Sequence, residues 1–111
     1  MKLDPHALFA SLPGPVTAKW PEGERFVEAF ARQGLTLELY APVGHDPQQP
    51  HAQDELYFIV SCTAVLSIGD DRHDCQPGDA FFVPAGMAHR FETFSEGFSA
   101  WAVFWGETTS R

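Results

Sequence analysis

"GDAFFVPAGMAHRFET", residues 78–93, decides how the rest of the chain is read. It opens on a Gly-Asp turn, runs through an apolar strand-length stretch, turns again at the rigid Pro84-Ala85-Gly86, and resumes at His89. From there extended alternation puts His89, Phe91 and Thr93 on one face and Arg90 and Glu92 on the other. An otherwise apolar face therefore starts with an imidazole.

The same rhythm extends in both directions. Leu35, Leu37 and Leu39 alternate with Thr36, Glu38 and Tyr40, and the runs "ELYFIVS", "AVLSIG", "RHDC" and "GFSAWAVFW" are strand-length, with Gly, Pro or Asp between them. "IGDDRH" at 68–73 is the tightest hairpin signal. Seven or eight short strands in this pattern predict an all-β sandwich or barrel. Ten Phe, three Trp and two Tyr supply a broad apolar interior. Before the strands, "DPHALFASL" predicts a short helix capped by Asp4, with Pro5 at its first position. "ERFVEAF" at 24–30 fits a helical stripe or an alternating strand, and the β-rich chain that follows favours the extended form. The expected organisation is an N-terminal helix and extended arm over 1–34, one barrel over 35–106, and a frayed tail over 107–111.

At 111 residues the chain accommodates one domain. Seven Lys and Arg against fifteen Asp and Glu give a formal charge of −8, which argues against nucleic acid or an anionic membrane as partner. Asp4 and Pro5 interrupt any apolar leader, and no apolar run approaches the ~18 residues a membrane span needs. Cys62 and Cys75 form no CxxC pair, so both read as small core-filling residues in a reduced, cytoplasmic setting.

A second stretch, "DPQQPHAQDELYFIV" at 46–60, carries polar residues of another kind. With His51 ending one strand, Ala52-Gln53-Asp54 turning and Glu55 starting the next, the imidazole and carboxylate face each other across a hairpin. If the strand runs straight through instead, His51, Gln53 and Glu55 share one face. His6, His45 and His73 stand alone and read as solvated or hydrogen-bonded.

These two stretches together resemble the cupin superfamily. Its second motif, G-x5-P-x-G-x2-H-x3-N, is matched at Gly78, Pro84, Gly86 and His89, with Thr93 in place of the closing Asn. Its first motif, G-x5-H-x-H-x3,4-E-x6-G, is matched at His51 and Glu55; Gln49 stands at the first His, Cys62 at the closing Gly, and Gly44 is one residue too close. The resemblance covers residues 35–105 and implies a double-stranded β-helix, a jelly-roll barrel, holding one divalent first-row metal ion: Fe, Mn, Ni or Zn. It implies His51, Glu55 and His89 as ligands, with Gln49 at the lost histidine and Gln53 as the alternative fourth ligand. Two His and one carboxylate leave coordination positions open for water or substrate. Tyr57, Phe91, Thr93 and Trp101 are the expected lining of a substrate pocket; Tyr57 has the alternative of simply filling the barrel, and Trp101, with Phe104 and Trp105, of serving the core or a subunit interface.

The expected function is a metalloenzyme acting on a small organic molecule by dioxygenase-, isomerase- or decarboxylase-like chemistry. The alternative is a non-catalytic cupin that binds a small ligand as sensor or carrier. A homodimer is expected, because exposed sheet edges and apolar strand faces favour two-fold association.

Overall fold

The computed structural model describes residues 1–106; the expected tail lies outside the described residues. Helix α1 (Pro5–Ala10) starts as the sequence predicts, with the Asp4 carboxylate accepting a 3.0 Å bond from the His6 N–H. The ambiguous segment is a strand, β1 (Phe26–Arg32), paired antiparallel with β2 (Leu35–Tyr40). There follow β3 (Asp54–Ser61), β4 (Ala64–Ile68), β5 (Asp71–Cys75), β6 (Ala80–Val83), β7 (His89–Phe94) and β8 (Ser99–Trp105). They form two antiparallel sheets, in the orders β1-β2-β8-β3-β6 and β5-β4-β7. This is the expected all-β jelly roll.

Packing between the sheets follows from strand register. On the inner face of the larger sheet, Tyr57 lies opposite Ala102, and Ile59 opposite Ala100. Each large side chain thus meets a small one, which leaves room for Leu66 and Phe91 from the smaller sheet. All six are at most 3% exposed. Burying each large apolar side chain contributes roughly 1.5–3 kcal/mol. β2 turns its polar face inward: Glu38 pairs with Ala102, and Tyr40 joins the core, while Leu39 lies on the outer face beside Trp101.

Three local expectations are corrected. His51 does not end a strand, because residues 41–53 form an irregular loop with one isolated bridge, Val43–His45. Pro42, Pro47 and Pro50 lack the N–H groups that a strand would pair. Thr93 does not share the face of His89 and Phe91. β4 pairs Leu66 with Phe91 but Val65 with Thr93, so Glu92 is the extra residue of a bulge and Thr93 turns outward, exposed. Trp101 is also on the outside, because Ala100 and Ala102 take the inner positions of β8.

The N-terminal arm is tied to the barrel. Gly14 N–H donates to the Glu24 carbonyl at 2.8 Å and Glu24 N–H to the Pro15 carbonyl at 2.9 Å, folding residues 14–24 into a hairpin. Its tip sends Trp20 into the core against Phe26 and Tyr40, with ring centroids 6.1 and 6.2 Å away.

Candidate metal centre and its cavity

Two turns bring the chemistry together. The Pro84-Gly86 turn is fastened twice, to the start of β3 and to the neighbouring loop: Ala85 N–H donates to Asp54 Oδ1 at 2.8 Å, and Gly86 N–H to the His51 carbonyl at 2.8 Å. Gly86 holds φ +78°, a left-handed conformation that suits glycine and aims its N–H at His51. His51, on the loop, and His89, at the start of β7, therefore converge on Glu55 in β3.

The imidazoles are oriented by backbone carbonyls. His51 Nδ1 lies 2.9 Å from the Gln53 carbonyl and His89 Nδ1 2.9 Å from the Met87 carbonyl. A carbonyl only accepts, so each Nδ1 carries the proton and each Nε2 is left to ligate. Both Nε2 atoms meet the same oxygen, Glu55 Oε1, at 2.9 Å from His51 and 3.2 Å from His89. The second contact lacks the angles of a hydrogen bond, which leaves His89 Nε2 buried without a hydrogen-bond partner; the other carboxylate oxygen, Glu55 Oε2, is buried without one too. Ligand atoms at right angles around a metal with bonds of about 2.1 Å stand about 3 Å apart. The three ligand atoms lie within 4.8 Å of one another. Two neutral imidazole nitrogens and a carboxylate in this arrangement suit a divalent ion.

Electrostatics agree with the geometry. Burial pulls the His89 imidazole down, but the Glu55 carboxylate, the Met87 carbonyl and the Asp46 charge outweigh it and hold the group above its ordinary value. In the metal-free protein the protonated form of His89 is thus favoured in the fold. The stability it contributes is complete below the unfolded-state value and is lost as pH rises through the raised one. A metal must displace that proton, so its affinity rises with pH over the same range.

Asp46, in the irregular loop, carries the surrounding order. At 3% exposure its carboxylate accepts from Tyr40 Oη and from the Gln48 backbone N–H on Oδ1, and from Gln48 Nε2 and the Phe91 N–H, each at 2.9 Å, on Oδ2. Gln48 Oε1 accepts in turn from Tyr57 Oη at 3.0 Å. The loop is thereby bonded to β2, β3 and β7. Tyr57 is fully buried, with its ring centroid 4.9 Å from Phe91 and 6.1 Å from His89. Burial, with the Glu55 and Asp46 charges, pushes its phenol well above the ordinary value.

A cavity of about 530 Å³ opens beside His51. Its walls come from the arm, with Trp20 and Glu24; from β1 and β2, with Phe26, Glu38 and Tyr40; and from β8, with Phe104. Tyr57, Phe91, Thr93 and Trp101 are not on this wall: the first two are core and the last two face outward. Gln49 does line the cavity and is exposed, and among the described residues no hydrogen bond engages it. Gln53 is buried, and its amide donates to the Gly106 carbonyl at 3.3 Å.

With fold and site defined, comparison with known proteins gives the class. Residues 36–104 match the cupin domain family, and the chain belongs to it. It is 44% identical over 81 residues to an uncharacterized protein of Streptomyces coelicolor, covering 71% of this chain and 77% of that one. It is also similar to a solved structure from Ralstonia eutropha, whose assignment as a mannose-6-phosphate isomerase is itself provisional. That likeness is 30% identity over 90% of this chain and 95% of the other, with a TM-score of 0.64. The DMSP lyase DddQ of Ruegeria pomeroyi shares the fold, at TM-score 0.68 and 22% identity, over all of this chain and 76% of that one.

Proposed function

We propose that this cupin is a metalloenzyme in which His51 Nε2, Glu55 and His89 Nε2 hold one divalent first-row metal ion, and that its substrate is a small organic molecule entering the cavity beside His51. The observation that carries the reading is the shared direction of the two imidazoles: both Nδ1 atoms are engaged by carbonyls, and both Nε2 atoms are aimed at one buried carboxylate. A bound metal supplies a Lewis acid or a site for activating water or O2. The chain's own residues orient the ligands, with Gln49 the candidate for a fourth, and exclude water with Phe104 and Tyr57. The assignment of the Ralstonia protein supports isomerase chemistry among the three classes.

Elemental analysis of protein purified without chelating resin is expected to show close to one Fe, Mn, Ni or Zn per chain, and turnover of a small carbonyl or hydroxy compound that stops on chelation. No uptake of any of the four metals on reconstitution would sink the reading. Stoichiometric metal without turnover would favour a ligand-binding sensor or carrier, a reading that Gln49 in place of an imidazole supports.

The free thiols Cys62 and Cys75 support a reducing, cytoplasmic setting, and among the described residues no helix is long and apolar enough to cross a membrane. The outer face of the larger sheet supports a homodimer. Phe58 and Phe82 are 41% and 51% exposed there, beside half-buried Trp101 and Trp105, a face suited to a second copy of itself under two-fold symmetry. Size-exclusion chromatography should give a dimer that Phe82→Asp converts to monomer; a wild-type monomer at micromolar concentration would reject it.

A further inference from the structure

We propose that Trp20, carried by the N-terminal arm, is the specificity-determining wall of the cavity: it closes the end away from the metal and limits the substrate to a compact molecule, a small polar head at the metal with no bulky ring behind it. The inference rests on the metal-site reading and narrows the substrate class for that site.

Strand register gives the cavity two ends. Phe104 lines it beside His51, with ring centroids 5.0 Å apart at 78°, and β2 sets Thr36 opposite Phe104. Tyr40 lines it four residues further along β2, opposite Ala100, about 13 Å away on an extended strand. β1 places Phe26 opposite Tyr40, and Trp20 packs on both. The cavity therefore runs from a metal ligand at one end to three aromatic rings at the other.

These rings form a fixed wall. Tyr40 is 3% exposed and its hydroxyl donates to Asp46, which holds the ring in place. Trp20 is 8% exposed, so most of the indole is packed and only a small part of it meets the cavity. Its backbone is held by bonds that do not involve the ring. The Trp20 carbonyl accepts from the Thr17 and Gly23 N–H groups at 3.0 Å each, and the Trp20 N–H donates to Thr17 Oγ1 at 3.0 Å. Gly23 lets this hairpin close: at φ +104°, a Cβ there would lie 2.6 Å from Pro13 Cβ and 2.8 Å from the Gly14 carbonyl oxygen.

A wall held this way does not swing aside for a large ligand. It also keeps its place when the side chain is shortened, because close-packed surroundings relax only partly around a deleted group. The apolar hole that results binds an apolar ring that fits it. Shortening Trp20 should therefore extend the cavity by roughly the indole it loses. Trp20 and Phe26 precede residues 36–104, the part that matches the cupin domain family, so the size limit comes from the arm and β1 rather than from the matched barrel.

The test uses three 2-hydroxy acids with the same chelating head, lactate, 3-phenyllactate and indole-3-lactate, on protein loaded with Mn(II), reading saturable paramagnetic line broadening of each by NMR. Wild type should prefer lactate to indole-3-lactate. In Trp20→Ala the affinity of indole-3-lactate relative to lactate should rise about tenfold, with 3-phenyllactate changing less. Loss of a merely structural tryptophan would instead weaken all three acids together. Trp20→Leu serves if Trp20→Ala fails to fold. A relative affinity that is unchanged or falls, a wild type that binds indole-3-lactate as tightly as lactate, or no saturable broadening by any of the three overturns the proposal. If no manganese is taken up, the metal reading fails separately. The same ratio is then measured on metal-free protein by saturation-transfer NMR, where the rise sustains the size limit and its absence overturns it.

Discussion

The two segments that build the centre reach their geometry by different means. Residues 78–93 are held by backbone chemistry: Pro84 and Gly86 set the turn, and its N–H groups bond to Asp54 and His51. Residues 41–53 have no paired strand to shape them and are held chiefly by side-chain bonds, most of them at buried Asp46. The first segment takes its turn from local sequence and is fastened through its own backbone N–H groups, whereas the second is shaped mainly by side-chain bonds. Their sensitivities to mutation should differ accordingly.

Asp46→Ala should have the largest effect. It leaves the Tyr40 hydroxyl, the Phe91 N–H and the Gln48 amide without their acceptor in a buried site, at a cost of about 4 kcal/mol. Asp54→Ala removes one exposed bond to the Ala85 N–H and should cost about 1 kcal/mol. Urea unfolding of the two variants measures this, and equal losses would erase the contrast between the segments. Next, Gln49→His places an imidazole on the cavity wall in the loop segment and should tighten metal binding on the order of tenfold, read by chelator competition. Unchanged affinity would take Gln49 out of the coordination sphere. Smallest is Cys62→Gly. Cys62 holds φ +65° where the family motif has Gly, and relief of that strain, of roughly 1 kcal/mol, is opposed by lost packing of a half-buried thiol. A midpoint equal to or slightly above wild type is expected, and a loss of more than about 1 kcal/mol would show that packing dominates.

Legibility followed the same division. Strand positions and the smaller sheet's hairpin could be read because period-2 alternation with Gly, Pro and Asp between runs reports directly on pleated, half-buried backbone. The bulge at Glu92 could not: one extra residue inverts the faces beyond it without changing composition, so simple alternation puts Thr93 on the wrong side. His51, Glu55 and His89 were identified through the motif spacing that the cupin resemblance supplied, whereas the cavity wall was not. Trp20 and Glu24 reach the cavity from an arm whose docking is set by tertiary contacts. Asp46 sits among prolines in a run of turn composition, and its burial follows from donors on two separate strands, β2 and β7, and on its own loop. One signal was available for Glu38. It stands on the face of β2 opposite three leucines, and a carboxylate between Thr36 and Tyr40 on a face that turns inward marks a polar cavity.

The central claim is that the loop and the turn meet to hold one metal ion. Anomalous diffraction from a crystal of the metal-loaded protein, collected at the absorption edge of the loaded element, tests it most directly. The account predicts one strong peak about 2.0–2.3 Å from His51 Nε2, His89 Nε2 and a Glu55 carboxylate oxygen. A peak elsewhere on the chain, or none at that position in protein shown to carry metal, would contradict it.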